Sequence, residues 1–283
     1  MSVRLNRSTV RHFLLPALAV LAAGMAASTA SAACTSSIPD SALIKKGTLV
    51  MSTNPTLPPL QYTDGSGQLK GMRIELGEEI AKRLCLTPEY VKIDFDAMVP
   101  GLQGGRWDVI NTGIFVTDER TRIMKMIPYE NQAISISTPV ANPLKITKTD
   151  DLAGHTVGVE IGGFEEAQAR AILKDMTARG LKPFTLRTFD TFSIAYQALG
   201  AGQLDAVVSI DAVAGEYQKR GGFARVISGI HPTPVALATK NPDLANAIAG
   251  VLDQMQKDGS YQKLFAKYGI APLEAPIAVA QPK

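Results

Sequence analysis

Two passages of this 283-residue chain can be laid over one another. Leu102-Gln-Gly-Gly-Arg-Trp-Asp108-Val-Ile and Leu199-Gly-Ala-Gly-Gln-Leu-Asp205-Ala-Val each set a Leu, a glycine turn and an Asp at matched offsets before an apolar run. Each also stands in the same local order. Residues 48–53 read as a strand, Leu76, Ile80 and Leu84 recur at helical spacing, 91–93 read as a strand, 97–102 as a short helix and 107–111 as a strand. Later, 156–160 read as a strand, Gly162-Gly163 as a turn, 165–176 as a helix, 185–187 as a strand, 194–199 as a helix and 205–209 as a strand. Strands alternating with helices make βαβ units and a mainly parallel sheet. The doubled order therefore predicts an α/β fold of two similar lobes. Ligands in such folds lie at the carboxyl ends of strands, where helix N-termini face the gap. Asp108 and Asp205 are expected to brace the two repeated turns, and Trp107 to sit in the core. A helical arm is expected at 41–46 and two closing helices at 243–257 and 261–268. The tail beyond Ile270, with Pro272, Pro276 and Pro282, is expected to be loosely held.

The N-terminus reads as a secretory signal over 1–32. Arg4, Arg7 and Arg11 precede an apolar run from Phe13 to Ala27, and Ala30-Ser31-Ala32 suits cleavage after Ala32. The run is shorter than the roughly 20 residues that span a bilayer. Ser31-Ala32-Ala33-Cys34 is a poor lipidation signal, because Ser31 stands where a larger aliphatic residue belongs. The chain has 29 basic and 26 acidic side chains, and losing the three leader arginines leaves 26 of each. A near-neutral exported protein gives no support to nucleic-acid binding. The periplasm is the expected compartment. There the two cysteines, Cys34 and Cys85, are expected to form a disulfide that staples the N-terminal arm. No clustered histidines or Cys-x-x-Cys pattern points to a metal, and no cofactor is expected.

Eight passages, in order, resemble a known family. They are Pro58-Pro59-Leu60-Gln-Tyr62, Gly71-Met-Arg-Ile-Glu-Leu76, Phe95-Asp96-Ala-Met-Val-Pro100-Gly-Leu102, Trp107-Asp108-Val-Ile, Thr117-Asp-Glu-Arg120, Asp151-Leu-Ala-Gly154-His-Thr-Val157-Gly158-Val, Leu204-Asp205-Ala-Val-Val and Asp258-Gly-Ser-Tyr261. Residues 47–270 resemble the family 3 bacterial solute-binding proteins, the periplasmic amino-acid-binding components of ABC importers. The resemblance implies a two-lobed periplasmic-binding-protein-like fold closing by a hinge. Lobe 1 is expected over 39–133 plus 231–270 and lobe 2 over 137–228, with crossovers at 134–137 and 233–237 and the tail at 271–283. It also implies a monomer that is not an enzyme and that hands a small, amino-acid-like carboxylate to an ABC permease.

The resemblance assigns the carboxylate to Arg120, whose planar fork suits two charge-assisted hydrogen bonds. Thr112 and Gly113 match residues that offer hydroxyl and backbone N–H groups, and Phe95 matches an aromatic beside the ligand. Thr117 is expected to hold the local turn. Gly163, with Gly162, precedes a helix and is expected to add a second anion contact. The departures are as informative. Phe115 replaces a small hydroxyl residue, and Gly163-Phe164 stands where a Thr often follows the second-lobe Gly. Ile210 stands where an acid usually meets the ligand's amino group, with Asp211 one step later. Asp211 serves only if its strand has ended or bulged, since one step along a strand reverses the side chain. Leu57 replaces an aromatic, and Asn54 an acid, of basic-amino-acid binders, which disfavours lysine and arginine. Phe95, Phe115 and Phe164 suit an apolar-walled site for an uncommon carboxylate.

Two alternatives share this fold. One is a periplasmic enzyme similar to cyclohexadienyl dehydratase, for which Glu75, Glu160 and Asp211 are the available carboxylates, none with an evident partner in the sequence. The other is a ligand-sensing module for a membrane receptor.

Overall fold

The computed structural model describes residues 34–141 and 143–282, so the expected signal over 1–32 lies outside the described residues. Among the described residues, eleven strands and eight α-helices follow one another. The strands are β1 (Thr48–Thr53), β2 (Thr56–Leu57), β3 (Gln61–Thr63), β4 (Leu69–Lys70), β5 (Thr87–Lys92), β6 (Val109–Phe115), β7 (Lys125–Pro139), β8 (Thr156–Glu160), β9 (Thr185–Phe189), β10 (Ala206–Ile210) and β11 (Phe223–Thr239). The helices are α1 (Met72–Arg83), α2 (Met98–Gln103), α3 (Asp118–Ile123), α4 (Phe164–Ala178), α5 (Phe192–Gly200), α6 (Asp211–Arg220), α7 (Pro242–Asp258) and α8 (Ser260–Tyr268).

Eight strands form one sheet in the order β5-β1-β6-β11-β7-β10-β8-β9, and β2-β3-β4 form a small antiparallel sheet. Each flank of the large sheet is parallel: β5-β1-β6 on one side, β10-β8-β9 on the other. The long antiparallel pair β7 and β11 runs between the flanks and joins them. This is the two-lobed α/β architecture with two crossover strands. Strands β1, β6 and β10 are buried along their whole length, as parallel strands covered on both faces must be. Leu49, Met51 and Val109 enter one cluster, whereas Val50, Ile110 and Ile114 enter the opposite one. Val157, Val159, Ala206 and Val208 build the opposite layer of the second flank. Pro88 falls in β5, an edge strand, where a missing N–H removes no ladder bond.

The repeated motif is realised almost residue for residue. Leu102 and Leu199 are each 1 % exposed, and Gly105 and Gly202 turn the chain with φ of 69° and 71°. Asp108 then accepts the N–H groups of Val50 (2.9 Å) and Ile44 (2.8 Å), and Asp205 accepts that of Thr156 (2.7 Å). Both aspartates also donate their own N–H to the same neighbouring strand, to Val50 O and Thr156 O. The aspartates therefore pin the adjacent strand more than the turn itself. Trp107 is buried, its indole against Gly101.

Two expectations need correction. The arm at 41–46 is a single 3-10 turn, Asp40–Ala42, because the backbone already forms a β-bridge at Lys45. The tail is docked. Ala280 N–H donates to Met126 O, Leu273 N–H to the Tyr261 hydroxyl, and Gln256 Nε2 to Leu273 O and Ala275 O. Ile277 is 8 % exposed, and Leu273 and Val279 pack on the same core cluster. The prolines suggested a loose segment, but the apolar residues between them are buried. Cys34 and Cys85 are both disulfide-bonded. Among the described residues no helix is long and apolar enough to cross a membrane, and no group of three or more acidic, His or Cys side chains is set to hold a metal ion.

Candidate functional site

Strand β6 delivers Thr112, Gly113 and Phe115 to the mouth of the first flank. Gly113 has φ 75°, and a Cβ there would overlap the guanidinium of Arg73, so only glycine fits on both counts. Arg73 comes from α1 and is fully buried. It donates to Thr112 O and to Gln61 Oε1 (3.2 Å), and its ion pair with Glu130 (3.1 Å) leaves both side chains without solvent. Thr112 Oγ1 accepts from Gln61 Nε2 (2.7 Å) and from the Asn54 N–H (3.3 Å). The Thr112–Gly113 segment is thus fixed from behind. Thr112, expected to serve a ligand through its hydroxyl, has only its proton left to give.

Arg120 follows on α3. Thr117 caps that helix by accepting the Arg120 N–H at 3.2 Å, which confirms its local turn-holding part. The Arg120 guanidinium donates to Phe115 O (3.0 Å) on its own flank and to Gly162 O (3.4 Å) on the other. It also lies 5.6 Å from the Phe95 ring centroid, a cation–π distance. Burial draws its pKa down, and Glu165 and Glu119 oppose that shift. An arginine remains charged regardless.

The opposite wall is built by β8 and α4. Phe164 stacks on Phe115 with centroids 4.6 Å apart and planes at 24°, so the two flanks meet through aromatic faces. Such a pair adds about 0.5–1.5 kcal/mol beyond area burial. Glu160, at the end of β8 and 2 % exposed, accepts Asn54 Nδ2 at 2.9 Å. Asn54 is fully buried, and its Oδ1 accepts the Thr56 hydroxyl at 2.7 Å. Burial pushes the Glu160 carboxyl well above its ordinary range, and the charge of Glu165 adds to the shift. Glu165 is also raised by burial, against the attraction of Arg120 and Arg73.

Three expectations change here. Gly162 and Gly163 were expected to offer free amides at the start of α4. Instead the Gly162 N–H donates to Glu166 Oε2 (2.7 Å), and the Glu165 carboxylate lies over Gly163 where a Cβ would be. Acids in a first helical turn are drawn to the N-terminal dipole, and these two reach it first. Asp211 does follow the end of its strand, since β10 stops at Ile210 and Asp211 opens α6. Its carboxylate, however, accepts from the Ser135 hydroxyl and the Gly229 N–H (3.4 Å), tying α6 to both crossover strands. It lines a cavity of about 530 Å³ beside Gln132, Arg225 and Tyr268, with none of the Arg120 contacts in it. The carboxylates named for an enzyme are also partnered: Glu160 by Asn54, Asp211 by Ser135, and Glu75 by Lys267 (2.7 Å) and the Tyr268 hydroxyl (2.6 Å) on the surface.

Arg120, Phe95, Phe115, Phe164 and Gly162 therefore meet at one place, and Asn54, Thr112 and Gly113 adjoin one another. Sequence reasoning missed Arg73, Gln61, Glu130 and Glu165. Arg73 carried one signal, an arginine set between the apolar Met72 and Ile74 at the start of the helix.

Known proteins share this fold. The L-cystine-binding protein TcyJ of Escherichia coli (strain K12) is 28% identical over 229 residues, covering 79% of this chain and 83% of TcyJ. An ancestral arginine-binding protein bound to arginine superposes with a TM-score of 0.73 at 34% identity, covering 78% of this chain and 98% of that one. An ancestral amino acid-binding protein, AncCDT-1, a precursor of cyclohexadienyl dehydratase, superposes with a TM-score of 0.71 at 31% identity, covering 78% and 95%. The model of the bacterial extracellular solute-binding proteins, family 3, matches residues 49–271, and the chain belongs to that family.

Proposed function

We propose that this chain is the periplasmic binding component of an ABC importer, capturing an amino acid or related small carboxylate and presenting it to a membrane permease. The observation that carries the reading is Arg120, whose fork touches backbone oxygens of both flanks and lies over Phe95. A ligand carboxylate exchanging for those carbonyl contacts would gain the stronger, charge-assisted pair. Because it would touch both walls, it would favour the closed arrangement over the open one. The lobes are assigned to 39–133 plus 231–270 and to 137–228, hinged at 134–137 and 233–237. Register shifts in the β7–β11 ladder between Ile230 and Thr233 and between Val235 and Ala236 support a hinge there. Relatives that bind cystine and arginine support an amino-acid-like ligand.

A thermal-shift screen of amino acids, their derivatives and small organic acids tests this. A ligand at 100 times its Kd stabilises by about 2.7 kcal/mol, a readily seen shift. The reading expects at least one carboxylate to shift the native protein and none to shift Arg120→Ala. Equal shifts in both would overturn it. A second reading, a periplasmic dehydratase, draws on Glu160, a buried carboxyl in the cleft whose pKa burial raises in the direction a general acid needs. Turnover of prephenate or arogenate decides between the two.

A further inference from the structure

One contact across the cleft ties a titratable group of one flank to a neutral group of the other. Glu160 ends β8 on the second flank, and Asn54 follows β1 on the first. Asn54 Nδ2 donates to Glu160 Oε1 at 2.9 Å, and both side chains are buried. The Thr56 hydroxyl occupies Asn54 Oδ1 at 2.7 Å, so Asn54 meets Glu160 as a donor. The second donor is the Phe192 backbone N–H, from the flank of Glu160 itself. Both donors are uncharged. The charges that act on Glu160 are two acids, Glu165 from α4 on its own flank and Asp94 beyond β5 on the opposite one. The nearby arginines act on Glu165 instead. Of these, Arg73 is paired with Glu130, and Arg120 donates to Phe115 O and Gly162 O. Among the described residues no cation pairs with Glu160. A carboxyl buried among neutral donors and other acids favours its neutral, protonated form. Asn54 and Asp94 belong to the first flank, so part of that environment exists only while the flanks are together. When they separate, water replaces it and the carboxyl ionises as an exposed glutamate does.

We propose that closing the lobes takes up one proton at Glu160, so that acidity shifts the chain toward the closed arrangement and rising pH opens it. This coupling rests on the hinged lobes proposed above. A group that holds its proton more tightly in one arrangement favours that arrangement wherever the proton is present. The window opens at about pH 4.3, where an exposed glutamate titrates. It ends at the raised pKa of Glu160 in the closed cleft. Within it the ratio of closed to open chains should fall by up to about tenfold for each pH unit. Any ligand that favours the closed form would then be held more weakly as pH rises, whatever its chemistry.

Distances between two spin labels, measured by pulsed electron resonance on the exported protein with no ligand added, test this. Asn246→Cys on α7 and Thr188→Cys on β9 place one label on each flank, at exposed neutral positions. Between about pH 4.5 and about pH 8 the native chain should show a short and a long distance, the short one gaining about tenfold or more in acid. Glu160→Gln is neutral at every pH and can still accept from Asn54, so it should keep the short distance throughout. Glu165→Gln should retain the pH dependence and move it toward acid, because a neighbouring charge is gone. A native ratio that ignores pH, or a pH dependence that survives in Glu160→Gln, would overturn the proposal. The two claims fail differently. Two distances in a fixed ratio would remove the Glu160 role alone, whereas a single distance at every pH would count against the hinged closure as well.

Discussion

Strands β6 and β10 start alike and end differently. Each is entered through a buried Leu, a left-handed Gly and an Asp that pins the neighbouring parallel strand. Strand β6 then ends in Thr112, Gly113 and Phe115, backed by the buried Arg73–Glu130 pair and followed by the capped helix of Arg120. Strand β10 ends in Ile210 and hands Asp211 to the crossover strands. The second flank's contribution to the cleft comes from its next strand, β8, through Glu160, Gly162 and Phe164. A duplicated frame carries the fold, and the residues just past each strand end carry the chemistry. The first mouth is held rigidly from behind, whereas the second presents acids with few partners.

That contrast can be broken by substitution. Arg73→Met should have the largest effect on stability, about 3–5 kcal/mol in urea unfolding, because Glu130 is left buried and unpaired. A loss below about 1 kcal/mol would mean the pair does little to hold the first mouth. The bracing aspartates come next. Asp108 is 6 % exposed and accepts two backbone N–H groups, while Asp205 is half-buried, accepts one, and lies 3.4 Å from His155. With charge-assisted bonds worth about 1.5–3 kcal/mol each, Asp108→Ala should cost roughly twice what Asp205→Ala does. Equal costs would contradict the difference in bracing.

The docked tail adds to the asymmetry, since it straps β7 and α7 of the first flank. Ending the chain after Ala271 removes the Ala280–Met126 hydrogen bond and the burial of Ile277, and should lower stability by about 2 kcal/mol. An unchanged midpoint would restore the loose tail that its prolines suggest. Smallest is the pH effect of Glu160→Gln. The folded-state pKa of Glu160 is raised, so between about pH 4.3, where the unfolded carboxyl titrates, and its folded pKa the native state holds the extra proton. Its contribution therefore falls as pH rises through that window. Thermal midpoints should rise in Glu160→Gln at pH 7.5 and match the native protein below about pH 4. A gain that persists in acid would point to packing instead.

Local pattern made much of this legible. Helices α1, α4, α7 and α8 follow apolar spacing, and strands β1 and β8 coincide with their apolar runs to the residue. The repeat foretold the two flanks, and Arg120, Phe95, Phe115 and Phe164 do converge. Partnerships across the chain were not legible. Arg73 and Glu130 are 57 positions apart, and Asn54 and Glu160 are 106 apart, so nothing in either local window marks a mate. Likewise Gly162-Gly163 reads as open amides until the first turn of α4 folds its own glutamates back onto them.

The most direct test is the affinity of Arg120→Ala and Arg120→Lys, by isothermal titration with whichever carboxylate shifts the native protein most. Truncating one partner of a buried charge pair costs about 2–5 kcal/mol, so Arg120→Ala should bind at least about thirtyfold more weakly while remaining folded. Arg120→Lys should fall between, keeping the charge without the fork. A dissociation constant unchanged in Arg120→Ala would contradict carboxylate capture at this cleft.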